Sequence, residues 1–348
     1  MIAGFDRARF SNVLDTYEKW WDRTLGRPLI QLTHSGRKAD FPKPAQPYFH
    51  FTSFYDLSVT PKEIVDVWQH AMTTNHYLGD AFPSIWPNFG AGAIAAFMGC
   101  ELHNTLSSHT TWFHPKGKLT LRERRFLVDF DNLWYRRTLD IMEEAVTRFD
   151  GCAQIGMTDL GGNLDILSSF RPGEDMLLDL YDDPEAVKLR TWDAHAAWFA
   201  YFDKLNETLR PGLLNPGYTA WTPILSRKSY YMLQCDFCYM IGPDMFDEFV
   251  KPELAAACSR IEHAFYHLDG PGQLPHLDSL LEIPDLDGVQ WIPGAGVKPT
   301  KEWLMSMRKS TRRASSSTCM ATPRHWTLSP TGWGRRKASS SAGCRSSR

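Results

Sequence analysis

Several common protein classes are excluded by what this sequence lacks. It has no run of about 18 apolar residues, so no transmembrane helix is expected, and its first residues show no secretory pattern. Its seven cysteines do not have the paired spacing of a secreted disulfide framework. A soluble chain in a reducing cytoplasm is the expectation. No strand-like run is followed by G-x-G-x-x-G or by a P-loop, so the usual nucleotide fingerprints are missing. Hairpin signals are missing too. Acidic residues are absent from 309–348, which holds nine Lys/Arg and ten Ser. The whole chain's −2 and that segment's +9 leave −11 on the first 308 residues. An acidic body of this kind gives no support for nucleic-acid binding.

What remains is a chain of 348 residues, 43% hydrophobic and with 13 tryptophans, long enough for one large α/β domain. Residues 5–25 place Phe10, Val13, Leu14, Tyr17 and Trp21 at helical spacing. A strand follows at 28–33 and a loop at 36–47. Thr60-Pro61-Lys62-Glu63 is a helix start, with Thr as N-cap, Pro at the first helical position and Glu in the capping-box position. Residues 79–99 are a long Gly- and Pro-bearing loop that could bring Asp80, Trp86 and Asn88 to a ligand, or could be a surface excursion with core anchors. Residues 103–118 read as a loop with His103, His109 and His114, whose spacing matches no local metal pattern. Residues 121–149 read as a helix. Residues 151–158 are a buried type of strand that ends on Asp159 before two glycines. Asp159 is either functional or a helix cap. Helices are expected to start near Arg171 and at Asp183, the latter running to about Leu209.

Residues 231–296 organise the rest. Three β-like runs stop at Cys235-Asp236, at His267-x-Asp269 and at Gln290-Trp291, and Pro243 opens a helix after the first of them. In parallel α/β folds the carboxyl ends of the strands carry the chemistry. Side chains two apart on a strand share a face, so His267 and Asp269 can chelate a metal or form a hydrogen-bonded pair. The same alternation lets only one of Cys235 and Asp236 point inward, with Asp236 favoured by its place at the strand end. About seven strand-then-helix units predict a parallel sheet, and the length suits a (β/α)8 TIM barrel over residues 1–308. A doubly wound sheet is the alternative. From about Lys309 the period is lost, just where an eighth βα unit is still owed. The 309–348 segment is therefore a disordered basic arm or an out-of-frame replacement of the last unit, which is missing or disrupted.

The stretch Gln234-Cys235-Asp236, Ile241-Gly-Pro-Asp-Met-Phe-Asp-Glu-Phe249 and Pro252, with Phe265-Tyr-His-Leu-Asp-Gly270 and Asp287-Gly-Val-Gln-Trp-Ile-Pro-Gly294, resembles the superfamily of uroporphyrinogen decarboxylase and the zinc-dependent methylcobamide–thiol methyltransferases. The resemblance covers about 120–308. It implies a TIM barrel with its site at the strand carboxyl ends and zinc-assisted methyl transfer involving a corrinoid or similar flat ligand, with a corrinoid protein as partner. In that reading His267, Asp269 and Cys235 are metal ligands, Asp236, Asp159 and Asp80 orient substrate or move protons, and Trp86, Asn88, Tyr266, Gln290 and Trp291 contact substrate. There are two departures from the family pattern. The methyltransferases' His-x-Cys is His267-Leu-Asp269 here. Arg23, Arg27 and Arg37 do not match the decarboxylases' arginine signature. Cofactor-free decarboxylation of a porphyrinogen-like acid is the alternative, and a non-catalytic ligand-binding barrel is the second.

Overall fold

The structure is a computed structural model and describes residues 2, 4–106, 110–294 and 318–321, the last four as backbone. The expectations for His109 and for most of 309–348 lie outside the described residues.

Local sequence sets the first half directly. Helix α1 (Arg7–Trp21) starts at Asp6, whose side chain accepts the Arg9 N–H, and buries Phe10, Leu14, Tyr17 and Trp20. Strand β1 (Gln31–Ser35) follows. Helix α2 (Pro61–Thr73) opens with the full capping box, Thr60 and Glu63 each accepting the other's backbone N–H. Then come β2 (Asn75–Gly79), β3 (Ser84–Ile85), a short α3 (Ile94–Phe97), β4 (Glu101–Thr105) and β5 (Thr110–His114). Helix α4 (Leu133–Phe149) is capped by Asn132, and β6 (Gln154–Ile155) lies parallel to β3.

The second half alternates more regularly. Helices α5 (Asn163–Phe170), α6 (Glu174–Asp182) and α7 (Pro184–Leu209) are followed by β7 (Tyr230–Gln234), α8 (Pro243–Phe249), α9 (Lys251–Arg260), β8 (His263–Asp269), α10 (Leu277–Leu281), β9 (Leu286–Ile292) and β10 (Thr318–Ala321). Asp183 caps α7 by accepting the Ala186 N–H. Strands β7 to β10 form one parallel sheet in the order β10-β9-β8-β7. The chain is thus mixed α/β.

Three features differ from the sequence expectation. Among the described residues the strands do not close an eight-stranded ring: β3 and β6 are a separate pair. The segment beside β6 is held by Met157 N–H to Thr219 O and by Gln154 Nε2 to Gly217 O, not by a regular ladder. Pro216 and Pro223 flank it and have no N–H to give. Second, two antiparallel ribbons are present, β1 with β2 and β4 with β5. The first joins strands far apart in sequence, so no tight turn announces it. The second is linked through Leu106-Ser-Ser-His109, which has no Gly, Asn or Asp. Third, the helix expected from 121 begins only at Leu133. The preceding segment is tied down as loop, since Arg190 Nε donates to Leu121 O and the Asp129 N–H donates to the Tyr201 hydroxyl.

The core leaves one end of the sheet open for a site. All five residues of β7 are buried, as are Phe265 and Tyr266 of β8. Helix α1 lies against the opposite end of β8: Trp20 stacks on Phe265 with ring centres 6.0 Å apart, and Trp21 stacks on His263 at 4.0 Å. Such pairs are worth about 0.5–1.5 kcal/mol each beyond the area they bury. With the amino ends of the strands capped in this way, His267 and Asp269 stand at the other end.

Candidate functional site

Strand register brings the central residues together. Gln234 pairs with His267, and His267 with Gln290, so these three stand side by side on one face of β7, β8 and β9. His267 Nδ1–H donates to Gln290 Oε1 at 2.5 Å. That bond assigns a proton to Nδ1 and leaves Nε2 as the nitrogen that could take an ion. Nε2 stands 4.0 Å from Asp269 Oδ2. Asp236 sits two residues past the end of β7, at the start of a 3-10 turn. One donor atom each from Asp236, His267 and Asp269 lie within 4.8 Å of one another. The Trp221 ring stands at right angles to His267, with centres 4.9 Å apart.

Two further carboxylates back this cluster. Asp159, just past β6, is 7% exposed and accepts the Gly161 N–H at 3.0 Å. Burial raises its pKa to about 7, helped by the Asp236 charge and opposed by the Gly161 and Gly92 N–H groups. Asp165, in the first turn of α5, accepts three backbone N–H groups: Gly162 at 3.2 Å, Asp236 at 3.0 Å and Phe237 at 2.8 Å. Burial and the Asp236 charge together outweigh those donors and raise its pKa to about 7. Asp165 therefore holds the turn that presents Asp236. Asp236 itself is exposed to solvent. Even so, the walls around it displace enough water to raise its pKa, with His267 opposing the shift and Asp269 adding to it.

Glycine makes the close approach possible. A Cβ on Gly162 would meet the Gln234 carbonyl oxygen at 2.1 Å, and one on Gly161 would meet the Gly92 Cα at 2.5 Å. Gly161 also has φ +76°, where side chains are strained. The Gly161-Gly162 pair thus lets the Asp159 loop press against both the end of β7 and the 79–99 loop.

Other expected residues stand elsewhere, each for a physical reason. Asp80 is clamped: Arg27 donates to both its oxygens, at 2.6 and 2.7 Å, and the Ile30 N–H donates at 2.7 Å. Burial alone would raise its pKa, but Arg27 and Ile30 outweigh it and hold the carboxyl below the ordinary value. Cys235 is 2% exposed and outside the metal-spaced cluster. Burial pushes its thiol well up, and it is hydrogen-bonded to Cys238. Tyr266 and Trp291 have the opposite strand parity to His267 and Gln290, so they face the helices. Tyr266 is fully buried, with its hydroxyl donating to Gln273 Oε1 at 2.9 Å, and Trp291 is paired with Leu268. Asn88 is a loop anchor whose Oδ1 accepts the Gly90 N–H. Trp86 is half-buried just past β3, with its Cβ close to Gly156. A hollow of about 390 Å³ between α2 and α4 shares no residue with the cluster.

A known fold is recognisable. The chain is similar to a methyltransferase from Methanosarcina mazei. The TM-score is 0.59 at 12% sequence identity, over 92% of this chain and 85% of that chain. At that identity the likeness is one of fold. No protein-family model and no curated protein matches the sequence. No helix among the described residues is long and apolar enough to cross a membrane.

The donor set suits a divalent ion. One neutral imidazole nitrogen and two carboxylates are ordinary zinc ligands, and the Gln290 bond to the far side of the imidazole is what metal-binding histidines usually have. Sequence reasoning missed Asp165, Gln234 and Trp221. Gly162 followed three residues later by Asp165 is a helix-start signal, but nothing local shows that Asp165 reaches the turn after β7.

Proposed function

We propose that this protein is a metal-assisted methyltransferase whose ion, zinc by resemblance, is held by Asp236, His267 and Asp269. The observation that carries this reading is the convergence of those three donors at the carboxyl ends of adjacent strands, with His267 fixed as the Nε2 donor by Gln290. The neighbour of like fold, a methyltransferase by name, supports it. When bound, the ion would lower the pKa of an acceptor hydroxyl or thiol, making the anion available near neutral pH. Gln290 keeps the imidazole proton away from the ion, and Asp165 holds the Asp236 turn in place. Asp159, a nearly buried carboxylate within reach of the Asp236 charge, would carry the acceptor's proton. Trp221 would stand beside the ion, and Trp86 lies just past β3. A corrinoid protein fits as methyl donor.

In this reading the fold is a (β/α)8 barrel built from β3, β6, the 217–219 segment and β7 to β10, with the last unit altered in 309–348. Decarboxylation of a polycarboxylate is disfavoured, because such a substrate needs convergent cations and the cluster offers carboxylates. Elemental analysis after gel filtration tests the proposal, on wild type and His267→Ala. Stoichiometric zinc in the wild type that is lost in a still-folded variant supports it. Folded wild type that takes up no metal when incubated with zinc overturns it and leaves the ligand-binding alternative.

A further inference from the structure

The chemistry of the donors says more than that an ion is bound. Its three donor atoms are two carboxylate oxygens and one imidazole nitrogen. Sulfur is not among them. Cys235, the thiol nearest in sequence, is buried and hydrogen-bonded to Cys238. Oxygen and nitrogen donors pass less electron density to an ion than thiolates do. The ion stays hard, and a hard ion prefers oxygen in its open position.

The surrounding charge narrows the choice again. Asp236 and Asp269 place two carboxylates on the ion itself. Among the described residues no lysine or arginine forms a salt bridge with either. Two carboxylates already balance the charge of a divalent ion, so a further anion gains no net attraction there. Trp221 adds a buried indole N–H with no hydrogen-bond partner among the described residues, next to the His267 ring, a donor suited to a neutral oxygen.

We infer that the open position of this ion takes an uncharged hydroxyl compound, an alcohol or a phenol, in preference to a thiol and in preference to any carboxylate- or sulfonate-bearing acceptor. The inference rests on the metal reading proposed above.

The test uses the full chain loaded with cobalt(II) in place of zinc, read by visible absorption and by calorimetric titration. Benzyl alcohol and benzyl mercaptan form a pair matched in shape and charge, and 3-hydroxypropionate supplies the anion. The expected result is that benzyl alcohol perturbs the cobalt d–d bands and binds at least about tenfold more tightly than either of the others, which is about 1.4 kcal/mol. No sulfur-to-cobalt charge-transfer band should appear with the mercaptan at the alcohol's saturating concentration. A charge-transfer band with equal or tighter mercaptan binding overturns the inference while leaving the metal reading intact. So does 3-hydroxypropionate binding as well as the alcohol, or binding of none of the three. Failure to retain either cobalt or zinc overturns both.

Discussion

Asp159 sets a cost that can be measured. Its carboxyl is 7% exposed, lies within reach of the Asp236 charge and titrates near 7 when folded. An unfolded aspartate titrates near 3.9, and at 1.36 kcal/mol per pH unit the difference sets a ceiling of about 4 kcal/mol. Water entry and side-chain movement relieve part of this, and about 2 kcal/mol is the expected cost. The sign follows from proton counting. Between the two pKa values the folded state binds more protons than the unfolded state, so stability falls as pH rises. The contribution of the protonated form is complete below about pH 4 and is lost as pH passes about 7. Asp159→Asn keeps an acceptor for the Gly161 N–H but cannot ionise. In urea unfolding with a chelator present, the variant should match wild type near pH 4.5 and exceed it by about 2 kcal/mol near pH 8. A variant less stable than wild type near pH 8, or a difference that does not change with pH, would refute burial and Asp236 repulsion as the cause.

Three other outcomes are expected. Arg27→Ala strands the nearly buried Asp80 carboxylate with one N–H donor and should lower stability by about 2 kcal/mol, reduced from the about 3–5 of a fully buried pair because Arg27 is half exposed. Because Arg27 depresses the Asp80 pKa, that loss is present above about pH 4 and should shrink as pH falls below it, which the same urea series reads out. Gly162→Ala drives a methyl group into the Gln234 carbonyl and should cost about 1–3 kcal/mol or more, with zinc affinity falling as the Asp236 turn shifts. Thr60→Ala removes one half of the α2 capping box, and about 1 kcal/mol should be lost with zinc content unchanged.

The legible parts of the sequence were those whose causes are local. The start of α2 lies in four consecutive residues, and Asp183-Pro184 does the same for α7. Period-two spacing put His267 and Asp269 on one face without any tertiary information. The same rule, with the strand register, would have turned Tyr266 and Trp291 away from that face. What stayed hidden depends on partners distant in the chain. Asp165 reads as helix body because the N–H groups it accepts belong to Asp236 and Phe237, about 70 residues on. The β1–β2 ribbon joins strands separated by a loop and a helix. Leu121 and Phe126 resemble a helical face, but contacts from Arg190 and Tyr201 hold their segment as loop.

Asp80 and Asp159 show most clearly why residue type and position were not enough. In the sequence they look alike: each follows a strand-like run, and each lies beside a glycine or one residue from a pair of them. Both are nearly buried. They differ in the charge opposite them. Asp80 faces the Arg27 guanidinium and is held ionised, which makes it a clamp between the chain near residue 30 and the end of β2. Asp159 faces Asp236, and its burial is opposed only by backbone N–H groups. A fold has no structural reason to bring uncompensated carboxylates together at the ends of several strands, since each raises the cost of ionising the next. A cation or a transferred proton gives such a reason, and that electrostatic deficit is the strongest physical argument for placing the chemistry at Asp159, Asp236 and Asp269 and not at Asp80.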